Sequence, residues 1–396
     1  MRRDTGRAAR IVVVGGAGAM GRITVRDLSE TAAAGIDLVL ADRNVAEARR
    51  VAASLPRPIS AIEADAASPA SLARALKDAS VVINACHHDC NLRVMDAALQ
   101  AGAHYCDLGG LFHVTRRQLS RDARFRRAGL LAICGIGSAP GIVNVMARAA
   151  ADRLDRVSEI HIAVGTRNAT PHRGRPLLDT SYSIETVLDE ASQPAALFTG
   201  GALWFVEPLS RVEAVRFPAP VGVQQVACTI HSELATLPQS FQDKGVREVS
   251  FKIAFPGELS GRLRFVHALG LTSRDAIAVG GVRIVPRDVL LALLRSAPRP
   301  APSGPVDEYE ILRVTVRGRR GRAVVEQVLD CRVPGMPAWG VGVDIDTGAP
   351  PSIVAQMIVE GEIDARGVLP PERAVPPAQF FRALARRGMR ITTRRR

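Results

Sequence analysis

Ile11-Val-Val-Val-Gly-Gly-Ala-Gly-Ala-Met-Gly21 is a short aliphatic run passing into glycines at 16, 18 and 21, with a helix-compatible stretch, Arg22–Glu30, directly after it. That order of strand, glycine loop and helix is the dinucleotide-binding arrangement. The first glycine permits the tight turn, the second lets backbone approach a pyrophosphate, and the third packs helix against strand. Backbone N–H groups at the helix start, around Ala19 and Met20, then face the phosphates. Asp42 ends the next aliphatic run, where a carboxylate takes the adenosine ribose hydroxyls, which favours NAD(H). Arg43 follows it and suits a 2′-phosphate, so NADP(H) stays open. Asp65 closes a third strand-like segment, Ile59–Ala64, and reads either as an adenine-edge residue or as a turn residue. Asn84, Ala85 and Cys86 end the fourth run, at the carboxyl edge where ligands bind in open α/β sheets.

Outward from this loop, Leu38–Ala41, Val81–Asn84 and Leu130–Cys134 are near-continuous aliphatic runs alternating with helical stretches, the pattern of a parallel sheet covered by helices. From about residue 157 the period becomes two. Ile160, Ile162 and Val164, then Val249, Phe251, Ile253 and Phe255, put apolar side chains on one face, which predicts a second, antiparallel sheet. Glu308–Arg317 and Ala323–Arg332 continue it around a turn at Gly318–Gly321. Ala297–Pro305 reads as a linker, and a last helix is predicted to start near Pro350–Pro351 and to break at Gly361. The 396 residues suffice for two or three domains at roughly 100 to 200 residues each.

Composition excludes several classes. Only Lys77, Lys244 and Lys252 stand among 52 basic residues, none after a glycine, so no P-loop exists. No tyrosine lies four residues before a lysine, so the Tyr-x-x-x-Lys pair of short-chain alcohol dehydrogenases is absent. Six cysteines without a secretory pattern predict reduced thiols and a cytoplasmic protein. The uncharged run Ala128–Ala147 carries glycines and a proline, and reads as strand, loop and helix start instead of a membrane span. The net charge of +13 raises a nucleotide-sensing, nucleic-acid-binding alternative. With aromatics at 4% and basic residues spread along the chain, nucleic acid is not the expected partner.

The residues resemble the saccharopine dehydrogenase family, in particular its saccharopine reductase-like and lysine 6-dehydrogenase-like members. The resemblance rests on the glycine loop, Val81-Val-Ile-Asn-Ala85, Ala101-Gly-Ala-His-Tyr-Cys-Asp107 and Gly137-Ser-Ala-Pro-Gly-Ile142. It continues with Tyr182-Ser-Ile-Glu-Thr-Val-Leu-Asp-Glu190, His231-Ser-Glu-Leu-Ala-Thr-Leu-Pro238 and Gly361-Glu-Ile to Arg366-Gly-Val-Leu-Pro-Pro-Glu372. It implies an α/β fold with a Rossmann domain, residues 8–143 and 338–396, and an inserted α+β domain, residues 144–337, for substrate and homodimer contacts. It also implies NAD(P)-dependent chemistry at a C–N bond of an amino acid or amine, by lysine 6-dehydrogenation or by saccharopine- or opine-type reductive amination through an imine. Cys86-His-His-Asp-Cys90 departs from the family, which usually has prolines there.

Within that frame, Asp107, His231 and Glu233 are the acid–base candidates, since imine chemistry needs a group that accepts and returns a proton. Tyr105, Ser138, Pro140, Gly141 and Tyr182 are expected at the substrate, and Arg167, in a loop with Arg173 and Arg175, as partner for a substrate carboxylate. The Cys86–Cys90 run lacks a distant second ligand pair, so no metal is expected. A non-catalytic scaffold that keeps the fold is the remaining alternative.

Overall fold

The computed structural model describes residues 8–174, 178, 182–255, 257–297 and 302–395. The expected Arg175 and part of the 297–305 linker lie outside these. Six strands precede residue 140: β1 (Arg10–Val14), β2 (Asp37–Asp42), β3 (Ser60–Glu63), β4 (Val81–Asn84), β5 (His104–Asp107) and β6 (Leu131–Ile133). The next group comprises β7 (Arg156–Asn168), β8 (Ala195–Thr199), β9 (Ala202–Val206), β10 (Glu213–Arg216), β11 (Val223–Cys228) and β12 (Glu248–Ile253). It is followed by β13 (Ile277–Val279), β14 (Val282–Ile284), β15 (Glu308–Arg320), β16 (Ala323–Val333), β17 (Gly367–Leu369) and β18 (Arg390–Arg395).

The first sheet is parallel, in the order β17-β6-β5-β4-β1-β2-β3. This is the doubly wound order, with its switch point between β1 and β4. Val12, Val14, Val82 and Ile83 are fully buried, as strands covered by helices on both faces require.

The second sheet runs β10-β11-β12-β7-β15-β16-β18, with β8 paired to β12 and β9 to β8. It is mixed. β12 lies parallel to β7, with Val249 opposite Ile160 and Phe251 opposite Ile162, against the antiparallel expectation. Alternation of apolar residues is the same in either direction, so period two could not reveal this. The hairpin between β15 and β16 also turns later than predicted, because β15 reaches Arg320, paired to Ala323. Gly318 is a bulge position: a Cβ there would meet Arg156 O at 2.0 Å, and the register against β7 shifts at Arg317/Gly318.

The last long helix spans Ile345–Val359, with Pro350 and Pro351 inside it rather than at its start. It is held from outside its own ladder: Thr24 donates to the Gly348 carbonyl at 2.7 Å, and a Cβ on Gly348 would meet Ile23 at 2.5 Å. The tail divides between the sheets. β17 extends the parallel sheet, whereas β18 pairs with β16, a departure from the expectation that residues 338–396 all return to the first unit. Among the described residues, no helix is long and apolar enough to cross a membrane.

Candidate functional site

A cavity of about 420 Å³ opens between the carboxyl edge of the parallel sheet and the face of the mixed sheet. Its nucleotide wall is built by the glycine loop. A Cβ on Gly21 would meet Gly15 O at 2.2 Å, and one on Gly16 would meet Leu40 at 2.7 Å, so both positions admit only glycine. Beside Gly18 only Gly15 O comes near, at 3.2 Å, which leaves that backbone open to a ligand. Asp42, at the end of β2, accepts from the N–H groups of Ala17 at 3.1 Å and Asn44 at 3.0 Å, fixing its carboxylate beside the loop. These features fit a dinucleotide: a backbone cradle that side chains would fill, and a carboxylate held at the ribose position. Arg43 is exposed at the same edge. Ala19, Met20, Ala85 and Cys86 line the cavity. Burial first, then the neighbouring Cys90, Asp42 and Asp65, push the Cys86 thiol up to about 12, so it stays protonated. Asp65 itself is a turn residue, accepting from Ala67 N–H at 2.8 Å.

The central wall carries His231. Its Nδ1 lies 3.0 Å from Glu233 Oε2 and its Nε2 3.3 Å from Glu190 Oε1, and its ring stacks on Phe251 with centroids 3.6 Å apart. Burial alone would lower the imidazole pKa, but Glu233 and Glu190 more than reverse this and hold it at about 10. His231 is therefore an imidazolium, within a trio of net negative charge. Tyr182 donates to the other oxygen of Glu190 at 2.5 Å. Ser138 and Pro140 complete this wall.

Several expected residues stand behind the wall. Asp107 is fully buried and does not line the cavity; it accepts from Tyr105 OH at 2.9 Å, Gln118 Nε2 at 2.5 Å, and the N–H groups of Gly109 and Gly135 at 2.9 and 2.8 Å. Burial raises its pKa against those four bonds. Its geometry ties the loops after β5 and β6 together, in place of the expected proton transfer. Tyr105, fully buried, and Asn84, which donates to Asn91 at 2.9 Å, belong to the same network. Glu233 reaches the cavity only through His231. Gly141 is backbone support: at φ +135° its Cβ would meet Gly137 O at 2.0 Å. Arg167 points away from the cavity and pairs with Asp307 at 3.1 Å, because alternation along β7 sends Val164, Thr166 and Asn168 inward instead.

The remaining wall was not foreseen. Glu308 and Glu310 of β15 face Asn168 and Thr166 in register, and the segment entering the last long helix adds Asp344 and Asp346. Among the described residues, no arginine or lysine lines the cavity. Two acids spaced by two on a strand, and two more spaced by two before an apolar helix, were a visible sequence signal for this wall. Glu190 likewise stood in a quoted motif without a role.

His87, His88 and Asp189 bring possible metal-ligating atoms within 4.8 Å of one another. Asp189 is already paired to Arg287 at 2.7 Å and Arg274 at 3.2 Å, and two guanidinium groups oppose a cation there. The charge that ties the loop after β4 to the helix Ile184–Ser192 is Arg274, 3.6 Å from Asp89 and 3.2 Å from Asp189. His88 is kept neutral, first by burial and then by His87, with its pKa lowered to about 4.

Two family models match, described as the saccharopine dehydrogenase NADP binding domain over residues 11–133 and the saccharopine dehydrogenase C-terminal domain over residues 137–389. A carboxyaminopropylagmatine dehydrogenase from Synechocystis is 25% identical over 399 residues, covering 96% of each chain. A carboxynorspermidine synthase from Vibrio cholerae is 24% identical over 70% of this chain and 71% of its own. Among solved structures, saccharopine dehydrogenase (L-Glu forming) from Saccharomyces cerevisiae superposes with a TM-score of 0.75 at 16% identity, covering 98% of this chain and all of that one. Homospermidine synthase from Legionella pneumophila, in complex with NAD, gives 0.65 at 13% identity, covering 98% of this chain and 91% of its own. At such identities the structural likeness speaks for the fold alone.

Proposed function

The chain belongs to the saccharopine dehydrogenase family and is an NAD(P)-dependent oxidoreductase; from that premise we propose that it interconverts an imine and a secondary amine on a cationic amine substrate. The observation that carries this reading is the ring of His231, held with one nitrogen on Glu190 and the other on Glu233 in the wall of the cavity that the glycine loop borders. A bound nicotinamide supplies or removes the hydride. In the reductive direction one amine and one carbonyl join with loss of water, and one hydride and one proton are consumed.

His231 and Glu190 manage that proton. Both N–H groups of the ring are engaged by Glu233 and Glu190, so the proton passes through Glu190: braced by Tyr182, it holds the amine, accepts its proton, and delivers one from the imidazolium toward the departing hydroxyl. The trio's net negative charge lets a cationic amine approach a cationic ring. Pro140, Leu108 and Phe251 keep water from the reacting carbon. The absence of lining arginine or lysine among the described residues favours an amine over a substrate held by its carboxylate. NAD(H) is the preferred cofactor on this reading, through Asp42, with the exposed Arg43 as the route to NADP(H).

The test follows the absorbance of NADH and NADPH with amines and keto acids or aldehydes, singly and in pairs, and with lysine and saccharopine. Oxidation of cofactor that requires both an amine and a carbonyl is the expected result. Tight cofactor binding with no turnover on any pair, and none in reverse with secondary amines, would overturn it in favour of a scaffold.

A further inference from the structure

The geometry points to a second cation seat at the far end of this cavity, formed by Glu308, Glu310, Asp344 and Asp346, which takes the distal ammonium or guanidinium of a dicationic amine. The inference rests on the proposed reading for its reacting end and adds what lies at the other end.

The seat is built by register. Thr166 Oγ1 donates to Glu310 Oε2 at 2.7 Å and Asn168 Nδ2 to Glu308 Oε1 at 2.9 Å, so β7 aims both β15 carboxylates. The N–H of Val343 fixes the second Glu308 oxygen at 3.1 Å. Asp346 is 2% exposed; Thr347 donates to its Oδ1 at 3.1 Å, while its Oδ2 is buried with no hydrogen-bond donor among the described residues other than a proton shared with Glu310. Glu310 reaches hydrogen-bonding distance of Asp346, and among the described residues no other group donates to Asp346 Oδ2, so a proton shared by the two acids is what bridges them in the free protein.

A buried acceptor left without a donor costs free energy, and a group of carboxylates facing one another in low dielectric costs more. The cavity offers no arginine or lysine among its described lining residues to offset this. A donor-rich cation entering through the cavity would satisfy Asp346 Oδ2 and the facing Glu310 together. Burial drives the pKa values of Asp344, Asp346 and Glu310 upward, as expected for acids that hold protons until an arriving cation replaces them. Glu190 holds the reacting nitrogen in the same cavity, so one substrate with nitrogens at both ends meets both acidic groups.

Calorimetric titration of putrescine, agmatine and n-butylamine into the full chain, without cofactor, tests the seat. The two dications should bind roughly tenfold or more tightly than the monoamine, the size of one or two charge-assisted hydrogen bonds. Asp346→Asn and, separately, Asp344→Asn should each reduce that preference severalfold while leaving butylamine affinity unchanged; Asp344 makes no capping bond, so its variant guards against a folding defect. The contrast between putrescine and agmatine tells which cation the seat prefers. Equal binding of all three amines, or a preference untouched by both substitutions, overturns the seat. Cofactor oxidation with butylamine and a carbonyl in the same variants separates the two readings: activity there with no dication preference sinks the seat alone, whereas inactivity with every amine sinks the proposed reaction.

Discussion

At the scale of single residues the sharpest expectation concerns His231, whose proton is held by two carboxylates. His231→Gln keeps a hydrogen-bonding side chain but loses the charge, so kcat should fall by about two to four orders of magnitude while the Kd for NADH stays unchanged. In the unsubstituted protein the rate should decline as pH rises through about 10, where the imidazolium is lost. Stability carries the same sign. The folded pKa is raised from 6.5, so the stabilisation is fully present below about 6.5 and disappears as pH climbs to about 10, visible in denaturant midpoints measured across that window. Asp42 gives a second expectation: Asp42→Ser, beside Arg43, should raise the KM for NADH about tenfold or more and shift the preference toward NADPH. An unchanged ratio of the two specificities would count against the ribose assignment. That Asp42 stands beside the glycine loop and His231 at the cavity was legible in the sequence, each from its neighbourhood in a motif. Asp107 was misread because a carboxylate closing a strand looks alike whether it faces a ligand or four internal donors, and only packing separates the two.

At the scale of elements, the helices Ala19–Thr31 and Ile345–Val359 and the tail helix Pro377–Ala385 are joined by one buried ion pair. Arg387 bonds both oxygens of Asp27 at 2.6 Å, and Ser352 and Thr31 complete the network. Removing one partner leaves a buried charge, so Arg387→Met should cost about 3–5 kcal/mol, whereas the double change with Asp27→Leu should recover most of it. Denaturant unfolding of the three variants checks this, and equal losses in single and double variants would contradict it. This tie was invisible beforehand because its ends are 360 residues apart. Strands β1, β2, β4 and β6 of the parallel sheet, by contrast, were readable nearly to their ends, since burial on both faces writes itself as unbroken aliphatic runs, whereas β17, at the sheet's edge, carries no such run and was not read as a strand. What failed were features that local pattern does not encode: the direction of β12, the bulge at Gly318, and a helix that runs through two prolines because its neighbour supports it.

At the scale of the whole molecule, a chain of net charge +13 encloses a cavity whose far wall is acidic. Composition raised the question of an anionic partner, yet among the described residues none of that positive charge lines the cavity. Charge counted along a chain says nothing about where a fold turns it inward, and many of the arginines are spent on surface carboxylates, as Arg317 is on Glu159 and Glu326. The inward charge has a consequence for pH. Asp344 is pushed up to about 8, first by burial and then by Glu308 and Glu310. Asp346 and Thr347 flank it on its own segment, Thr166 and Asn168 face the seat from β7, and His172 lines the same cavity. Below about pH 8 Asp344 is protonated in the free protein, and a cation must expel that proton to use the carboxylate. Agmatine keeps both charges through this range, so its affinity should rise by about tenfold or more per pH unit until about 8 and then less steeply. Titrations in two buffers of different ionisation enthalpy should show at least one proton released per agmatine below that pH, and Asp344→Asn should lower the release by about one and flatten the slope accordingly, leaving what Asp346 and Glu310 contribute. An affinity flat from about pH 6 to 8 would mean that Asp344 does not meet the ligand.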